Sequence, residues 1–466
     1  MRRTKLVCTV GPASCHPLVM RRLVTQVDVF RLNFSHGDRA SHLSYLSTIR
    51  REARRSKRTV AILQDLPGPK IRVGRFEGGS ADLVRGSRFT LTASEVLGDS
   101  RRASVNFPGL LGAVQKGDLL HLADGLIRLR VEERSEEGVL CTVLVGGTLS
   151  SGKGVNAPGV RMNVKYPTEA DAAHLSFGLA HGVDFVAASF VRSASDLKAV
   201  RKLMPEQGPS LIAKIEKLEA VKNFDEILGE ADGIMVARGD LGIEVPIETV
   251  PSIQKQIIRK CGRAGKPVIV ATQMLVSMVN FPVPTRAEVT DVSTAILDGA
   301  DAVMLSDETT VGKYPVEAVK MLDRIARATE KMPELAARAW EEPEDTGIAD
   351  AIGRAACRLA DYVGAKAIVA PTQTGSTARR VAMCRPRQPI VAMCTDPRVA
   401  RKVNILRGVV PEVSRQAKTA DWLFERADRA ALRLGLAKKG DKIVVTAGTP
   451  GKKGTTNLIR VSVVGG

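Results

Sequence analysis

Leu211-Ile212-Ala213-Lys214-Ile215-Glu216, followed by Ala237-Arg238-Gly239-Asp240-Leu241-Gly242, decides the fold. The first stretch reads as a buried strand, an apolar run that ends abruptly in Lys214 and Glu216. Side chains alternate along a strand, so these two residues point to one side. The second stretch follows another apolar strand, Ile234-Met235-Val236, and turns through Gly239 into Asp240. Two carboxylates at the ends of neighbouring strands, with a lysine beside them, suit a divalent cation and a fixed positive charge. Mg²⁺ takes one or two carboxylates and completes its shell with water and substrate oxygens. The lysine can neutralise charge on a phosphoryl group in transfer. A buried Lys214–Glu216 ion pair gives the same local pattern, so the rest of the chain must decide.

Working outward, the same rhythm recurs. Lys5–Cys8 ends at Thr9-Val10-Gly11-Pro12, Val27–Leu32 at Asn33-Phe34-Ser35-His36-Gly37, and Thr59–Leu63 at Gln64-Asp65. It resumes near residue 168. Phe185–Ala188 ends at Ser189, Leu211–Ala213 at Lys214, Ile234–Val236 at Ala237–Asp240, Val268–Ala271 at Thr272-Gln273, and Ala302–Leu305 at Ser306. Eight apolar strands, each followed by helical periodicity, point to a (β/α)8 TIM barrel. The polar residues fall at the C-terminal strand ends, where such barrels carry their sites.

The barrel is expected over 1–70 and 164–341, interrupted by a β-rich domain over 71–163. Within that insertion Arg88–Thr92, Leu119–Leu122, Leu126–Val131 and Val139–Val143 alternate like strands. A small all-β lid over the site is expected, since closure excludes water from phosphoryl transfer. Gly147-Thr148-Leu149-Ser150-Ser151-Gly152-Lys153-Gly154 nearly matches a P-loop but lacks the final Ser or Thr. The Val155-Asn156-Ala157-Pro158-Gly159 that follows cannot propagate a helix. A Walker-type site is rejected.

Glu341-Glu342-Pro343-Glu344-Asp345 reads as a linker, and 342–466 as a C-terminal open α/β sheet domain. Its strands are expected at Ala367–Ala370, Ile390–Met393, Val409–Val410, Ile443–Thr446 and Leu458–Val464. Two loops there, Thr372–Thr377 and Gly448–Asn457, carry hydroxyls. The first sits between a strand and a helix, where a phosphate can bind. Turn chemistry and helix capping explain both equally well.

Composition sets outer bounds. At 466 residues two to four domains are expected. The net charge of +19 suits anionic small substrates. Few aromatics and no RRM, KH or helix-turn-helix signature argue against nucleic acid. The basic run Arg50–Arg58 closes a helical pattern, where cations favour the helix dipole. No apolar run reaches a membrane span, and no signal-peptide pattern opens the sequence. Seven scattered cysteines without a CxxC fit reduced thiols. A cytoplasmic protein is expected.

Taken together, several motifs resemble those of pyruvate kinase along essentially the whole chain. They are Arg31-Leu32-Asn33-Phe34-Ser35-His36-Gly37, Gly154-Val155-Asn156, Lys214-Ile215-Glu216, Arg238-Gly239-Asp240-Leu241-Gly242, Ala271-Thr272-Gln273-Met274-Leu275 and Leu305-Ser306-Asp307-Glu308-Thr309. The resemblance implies transfer of a phosphoryl group from phosphoenolpyruvate to ADP, giving pyruvate and ATP. It implies Mg²⁺, or Mn²⁺ in its place, on Glu216 and Asp240, with a second ion arriving with ADP. Lys214 would stabilise the transferring phosphoryl and Arg31 hold the phosphate. Amides near Gly239 and Asp240 would receive the substrate carboxylate beside Thr272. Asn33, Phe34, Ser35, His36, Arg72 and Lys153 would contact the nucleotide. No histidine but His36 lies at a strand end, so a relay through Thr272, Ser306 and water is expected to protonate the enolate. Val276 departs from the family, many of whose members carry an acid there, and weakens any relay needing that carboxylate.

The family also suggests a homotetramer and a C-terminal site for a phosphorylated effector, expected here at Thr372, Thr374, Gly375, Ser376 and Thr377. Gln373 replaces a lysine common in fructose-bisphosphate-activated relatives, so a sugar or nucleotide monophosphate fits as well. A second departure is Lys70 in Asp65-Leu66-Pro67-Gly68-Pro69-Lys70-Ile71-Arg72, where many relatives carry glutamate and bind potassium through positions matching Asn33, Ser35 and Asp65. An ammonium there is expected to stand in for the ion and remove the potassium requirement. Another barrel enzyme that handles a metal-bound enolate, such as an aldolase or phosphoenolpyruvate mutase, is the nearest alternative, and would not need the lid or the nucleotide residues.

Overall fold

The computed structural model describes residues 1–162, 164–332, 347–416, 419–448 and 456–465. Eight parallel strands close into a barrel: β1 (Lys5–Thr9), β2 (Val29–Asn33), β3 (Ala61–Asp65), β4 (Phe185–Ala188), β5 (Ser210–Ile215), β6 (Gly233–Ala237), β7 (Val268–Ala271) and β8 (Ala302–Leu305). The closing seam pairs Lys5 with Ala302 and Cys8 with Leu305. Two strands begin later than the sequence suggests. Val27 still hydrogen-bonds back to Leu23 in the preceding turn, so β2 starts at Val29 and runs on to Asn33. Likewise β3 spans Ala61–Asp65 rather than 59–63. Asn33 and Asp65 are therefore strand residues, fixed by the ladder.

The strands are apolar on both faces because helices cover the outside and side chains fill the inside. Inward positions include Val7, Val29, Leu63, Ala187, Ile212, Met235, Ala271 and Met304, which form one buried cluster. Outward positions such as Leu6, Phe30, Ile62, Val186, Ala213, Ile234, Val270 and Val303 pack under the helices.

The insertion is a six-stranded β-sheet ordered Val155–Asn156, Leu119–Leu122, Ile127–Ser135, Gly138–Val145, Arg88–Thr92 and Arg102–Ser104. It has its own core around Phe89, Leu91, Leu120, Leu129 and Cys141. Gly147–Ser150 pairs antiparallel with Ser80–Leu83, so the P-loop-like stretch is a strand and a turn rather than a loop opening a helix. A bridge between Arg72 and Gly154 joins the entry and exit of the insertion.

The C-terminal domain opens with the helix Ile348–Tyr362. Its sheet contains β9 (Ala367–Thr372), β10 (Ile390–Cys394), β11 (Val409–Val413), β12 (Lys442–Gly448) and β13 (Thr456–Val463), in the order β11-β10-β9-β12-β13. Only β13 is antiparallel. The expected linker at 341–345 and most of the 448–457 loop lie outside the described residues.

This domain docks on the N-terminal mouth of the barrel, through charges at the strand starts. Lys5 Nζ donates to Val409 O at 2.7 Å and Asn404 Oδ1 at 3.2 Å. Asp184, just before β4, holds Arg401 at 2.6 Å and Arg50 at 2.7 Å. Asp301, just before β8, holds Arg385 at 2.7 Å. Among the described residues no helix is long and apolar enough to cross a membrane.

The seam also explains Gly11, whose chain passes close to the loop after β8. A Cβ there would lie 2.6 Å from Thr310 Cβ and 2.8 Å from its Cα. Backbone on the far side cannot move aside cheaply, so Gly11→Ala should cost about 1–3 kcal/mol, the usual penalty for overpacking. Urea unfolding should show a lowered midpoint, and a midpoint equal to wild type would mean the seam has slack.

Candidate active site

Alternation carries the inward pattern of the barrel one step beyond its apolar core. Two residues after Val7, Val29, Leu63, Ala187 and Ile212 come Thr9, Arg31, Asp65, Ser189 and Lys214. Five neighbouring strands thus aim polar side chains into the C-terminal mouth. All five residues are buried.

They form one connected network. Asp65 Oδ2 accepts from Arg31 Nε at 2.6 Å, and Arg31 Nη1 donates to Thr9 Oγ1 at 3.0 Å. Asp65 Oδ1 accepts from Ser189 Oγ at 3.2 Å and lies 3.3 Å from Lys214 Nζ. Lys214 Nζ donates to Ser189 Oγ at 2.6 Å. It also pairs with Glu216 Oε1 at 2.8 Å, an ion pair buried on both sides. Glu216 Oε2 accepts the Phe190 amide at 2.7 Å. Phe190 adopts φ +56° to present that amide, a strain that suits a functional turn.

Charge balance sets the protonation states. Burial raises the Asp65 carboxyl, but Lys214 and Arg31 outweigh it and hold Asp65 below the usual range. Burial pulls the Lys214 ammonium down, and Asp65 with Glu216 more than reverses that. Burial pushes the Glu216 carboxyl up; Lys214 opposes this and Asp240 adds to it. A buried carboxylate that stays raised despite a lysine beside it, with a second carboxylate adding to the rise, favours further positive charge. Glu216 and Asp240 therefore fit a divalent cation. Among the described residues no three His, Cys, Asp or Glu side chains gather, so the protein offers an open pair rather than a closed cage. That pair suits an ion keeping water and substrate oxygens.

The structure relocates Lys70. Its Nζ donates to Asp240 Oδ1 at 3.2 Å, on the cation pair, instead of lying among Asn33, Ser35 and Asp65. Asp65 is already held by Arg31, Ser189 and Lys214, and Asn33 Oδ1 accepts from the Ser35 amide. The Lys70 ammonium nevertheless stays in the mouth, with its side chain 25% exposed.

Other expectations divide. His36 is exposed, and burial together with Arg72, Arg31 and Lys70 holds its imidazole below the usual value. Those residues thus converge with His36 on the mouth. Phe34 does not reach it. Its ring is buried and stacks on His42, centroids 4.0 Å apart, in the packing behind β2. Arg72 Nη1 donates to Gly152 O at 2.9 Å, and Lys153 is exposed on the insertion.

At the far side, Thr272 (φ +70°) turns the chain after β7. Its Oγ1 accepts the Gly239 amide at 2.8 Å, so that amide is engaged within the protein rather than free for a carboxylate. Ser306 Oγ is buried without a partner. Glu308 accepts the Ser306 amide at 2.7 Å and the Leu275 amide at 2.9 Å. It fixes the loops after β7 and β8 to each other. Val276 is 45% exposed. Ser189 is the main residue missed. The period-two rule that selected Lys214 also selects it, but a lone serine at a strand end carries no charge to draw notice.

In the C-terminal loop, Thr372 Oγ1 accepts the Gly375 amide at 2.9 Å. Thr377 Oγ1 is hydrogen-bonded to Thr456 Oγ1 at 3.0 Å. Both hydroxyls take part in holding the loop together. Thr374 and Ser376 are joined to each other at 3.2 Å.

Comparison with known proteins agrees with this geometry. Residues 1–319 match the family model described as pyruvate kinase, barrel domain, and 350–462 that described as pyruvate kinase, alpha/beta domain. A pyruvate kinase of Geobacillus stearothermophilus is 47% identical over 99% of the chain and 80% of its own length. One from Staphylococcus saprophyticus is 44% identical over 100% of the chain and 81% of its own length. The crystal structure of a Cryptosporidium parvum pyruvate kinase superposes with a TM-score of 0.92 at 37% identity, covering 99% of this chain and 96% of that one.

The network makes Asp65 the residue whose loss costs most. Asp65→Asn leaves Arg31 and Lys214 buried without their shared carboxylate, a change that typically costs about 3–5 kcal/mol at neutral pH. Because the folded-state pKa of Asp65 is depressed, its contribution is present above the unfolded value of about 4. It fades as pH falls toward the folded value. Stability measured against pH should therefore fall less steeply below pH ~4 in D65N than in wild type. Parallel acid limbs in the two proteins would remove Asp65 from the centre of the network.

Proposed function

The chain belongs to the pyruvate kinase family, enzymes that move the phosphoryl group of phosphoenolpyruvate to ADP, and we propose that the buried Lys214 ammonium is the group that stabilises the phosphoryl in transfer. The observation that carries this reading is the position of Lys214. Its Nζ is fixed by Ser189, Asp65 and Glu216 at the mouth of the barrel, charged and immobile before substrate arrives. A preorganised cation costs no reorganisation when charge develops on the transferring oxygens.

Arg31 holds the phosphate. Its Nε and Nη1 are spent on Asp65 and Thr9, which orients the guanidinium toward the mouth. Glu216 and Asp240 hold Mg²⁺, for which Mn²⁺ can substitute. When bound, that ion supplies charge compensation for the substrate carboxylate and phosphate. The amide of Asp240 receives the carboxylate, with Thr272 fixing the turn beside it. Asn33, Ser35, His36, Arg72 and Lys153 meet the nucleotide from the strand ends and the lid. Swinging the lid toward the mouth removes water from the reacting groups. The Ser306 hydroxyl, buried and unpartnered, is placed to pass a proton through water to the enolate, with Thr272 in the relay.

Lys70 makes the enzyme independent of potassium. Its ammonium already lies in the mouth, at Asp240, and supplies a fixed positive charge near the phosphates where a monovalent ion would otherwise be needed. A homotetramer in the cytoplasm, activated by a phosphorylated metabolite at Thr374–Ser376, completes the reading. The exposed hydroxyls there and the amides after the left-handed Gly375 (φ +90°) can meet a phosphate.

Two measurements test the reading. Lys214→Met should lower kcat by at least about 10²–10³-fold, the range for loss of one transition-state donor, while substrate binding changes little. Near-native kcat would exclude the role given to Lys214. Lys70→Glu should convert an enzyme active in tetramethylammonium salts into one that needs potassium. Wild-type activity that collapses without potassium and returns with it would exclude the role given to Lys70.

A further inference from the structure

Two of the seven cysteines lie on neighbouring helices of the C-terminal domain. Cys357 sits on the helix Ile348–Tyr362, and Cys384 caps the C-terminus of the helix Ser376–Met383. Both thiols turn to the same stretch of the second helix: Cys384 Sγ donates to Arg380 O at 3.4 Å, and Cys357 Sγ donates across from the first helix to the neighbouring Val381 O. The helices approach closely. A Cβ on Gly353 would lie 3.4 Å from Arg380 O, and Cys357 Sγ is 3.7 Å from Val381 O. Gly353 and Cys357 are one turn apart, as are Arg380 and Cys384, so the close approach at the first pair carries to the second. Bridging two cysteines requires Cα atoms within about 7 Å and converging Cβ atoms, and two helices this close, with both thiols on adjacent carbonyls of one of them, favour that approach.

The surroundings divide the roles of the two sulfurs. The neighbouring Cys357 holds the Cys384 thiol below its usual value; burial and Asp350 oppose this, and Arg354 and Arg358 add to the lowering. Arg354 Nη2 is buried with no hydrogen-bond partner and so favours a nearby anion. Cys384 is partly exposed and Cys357 buried. A partly exposed thiolate in a positive field reacts first, and its buried neighbour resolves. The location matters as well. Met383, one residue before Cys384, packs against Gly265 at the end of a barrel helix, its Sδ 3.3 Å from a Cβ position there. Arg385, one residue after, binds Asp301 below β8.

We propose that Cys357 and Cys384 form a reversible intrachain disulfide on exposure to a hydroperoxide, clamping two helices where the C-terminal domain meets the barrel. The Cys384 thiolate attacks the peroxide. The O–O bond breaks, hydroxide leaves and takes up a proton as water, and Cys384 becomes a sulfenic acid. The Cys357 sulfur then displaces that oxygen and gives up its proton. Two thiols and one hydrogen peroxide thus give one disulfide and two waters, and a dithiol reductant reverses the change.

The test uses the full chain treated with hydrogen peroxide, alkylated under denaturing conditions and mapped by mass spectrometry. Alkylatable thiols should fall from seven to five, with the Cys357 and Cys384 peptides joined within one chain and freed by dithiothreitol. Cys357→Ser should leave a sulfenic acid at Cys384 that dimedone traps, whereas Cys384→Ser should give neither adduct nor cross-link. Hydrogen exchange over 376–385 should slow in the oxidised protein. Retention of all seven thiols, oxidation of Cys384 to sulfinic acid without a cross-link, a bridge between chains, or no dimedone adduct in C357S would overturn the pairing. Unchanged exchange would overturn the clamp.

Discussion

A single buried carboxylate, Asp65, holds the working face of this molecule in place. It binds Arg31 on one oxygen and faces Ser189 and Lys214 on the other. Each of these groups comes from a different strand, so the arrangement exists only when the barrel is closed. Burying such charges is expensive, and their mutual attraction offsets the cost only when the geometry is tight and the remaining lone pairs are met. Asp65 satisfies that condition. Glu216 satisfies it less fully: it has Lys214 and the Phe190 amide, but Asp240 and Asp65 repel its charge and keep its pKa raised.

The rest of the molecule separates stability from chemistry along the barrel axis. At the N-terminal mouth, Asp184 and Asp301 bind Arg401 and Arg385 of the C-terminal domain, and Lys5, paired with Asp28, donates to Val409 O across the same boundary. Arg2 holds Asp28 at 2.8 Å, and Asn404 bridges to Asp28 O and Thr59 O from the other domain. At the opposite mouth the β-rich insertion meets the barrel through fewer polar links. Asn156 donates to Glu244 at 3.2 Å, and Lys217 pairs with the same carboxylate at 2.6 Å. Between them lies a cleft of about 140 Å³ lined in part by Lys70, Val155, Phe190 and Lys217. A domain tied by a short hinge and a few hydrogen bonds can swing, whereas one tied by several buried ion pairs cannot do so cheaply.

The barrel and the polar strand ends were legible in the chain because both follow from local periodicity. A strand that alternates apolar residues and ends in Lys214 and Glu216 must place both on one side, whatever surrounds it. Eight such strands with helices between them admit few architectures. The motifs around Arg31, Lys214, Asp240 and Thr272 carried the family as well. What local pattern could not supply was the partner of each group. Phe34 sits inside a polar motif, and only the helix packed behind it shows that its ring turns inward to His42. The hydroxyls of Thr372 and Thr377 likewise find their partners in the fold, the Gly375 amide and Thr456.

Sequence by itself therefore determined the eight-stranded barrel, the side of each strand on which the charges stand, and the chemistry those charges suit. These depend on spacing along one chain. Tertiary structure alone decided which charge meets which. Asp65 lies 149 positions before Lys214, and Lys70 lies 170 before Asp240. No periodicity spans such distances. The pairing is set when closure brings β3, β4 and β5 side by side and the hinge lays Lys70 across the mouth, because Coulomb attraction and desolvation depend on separation in space and not along the chain.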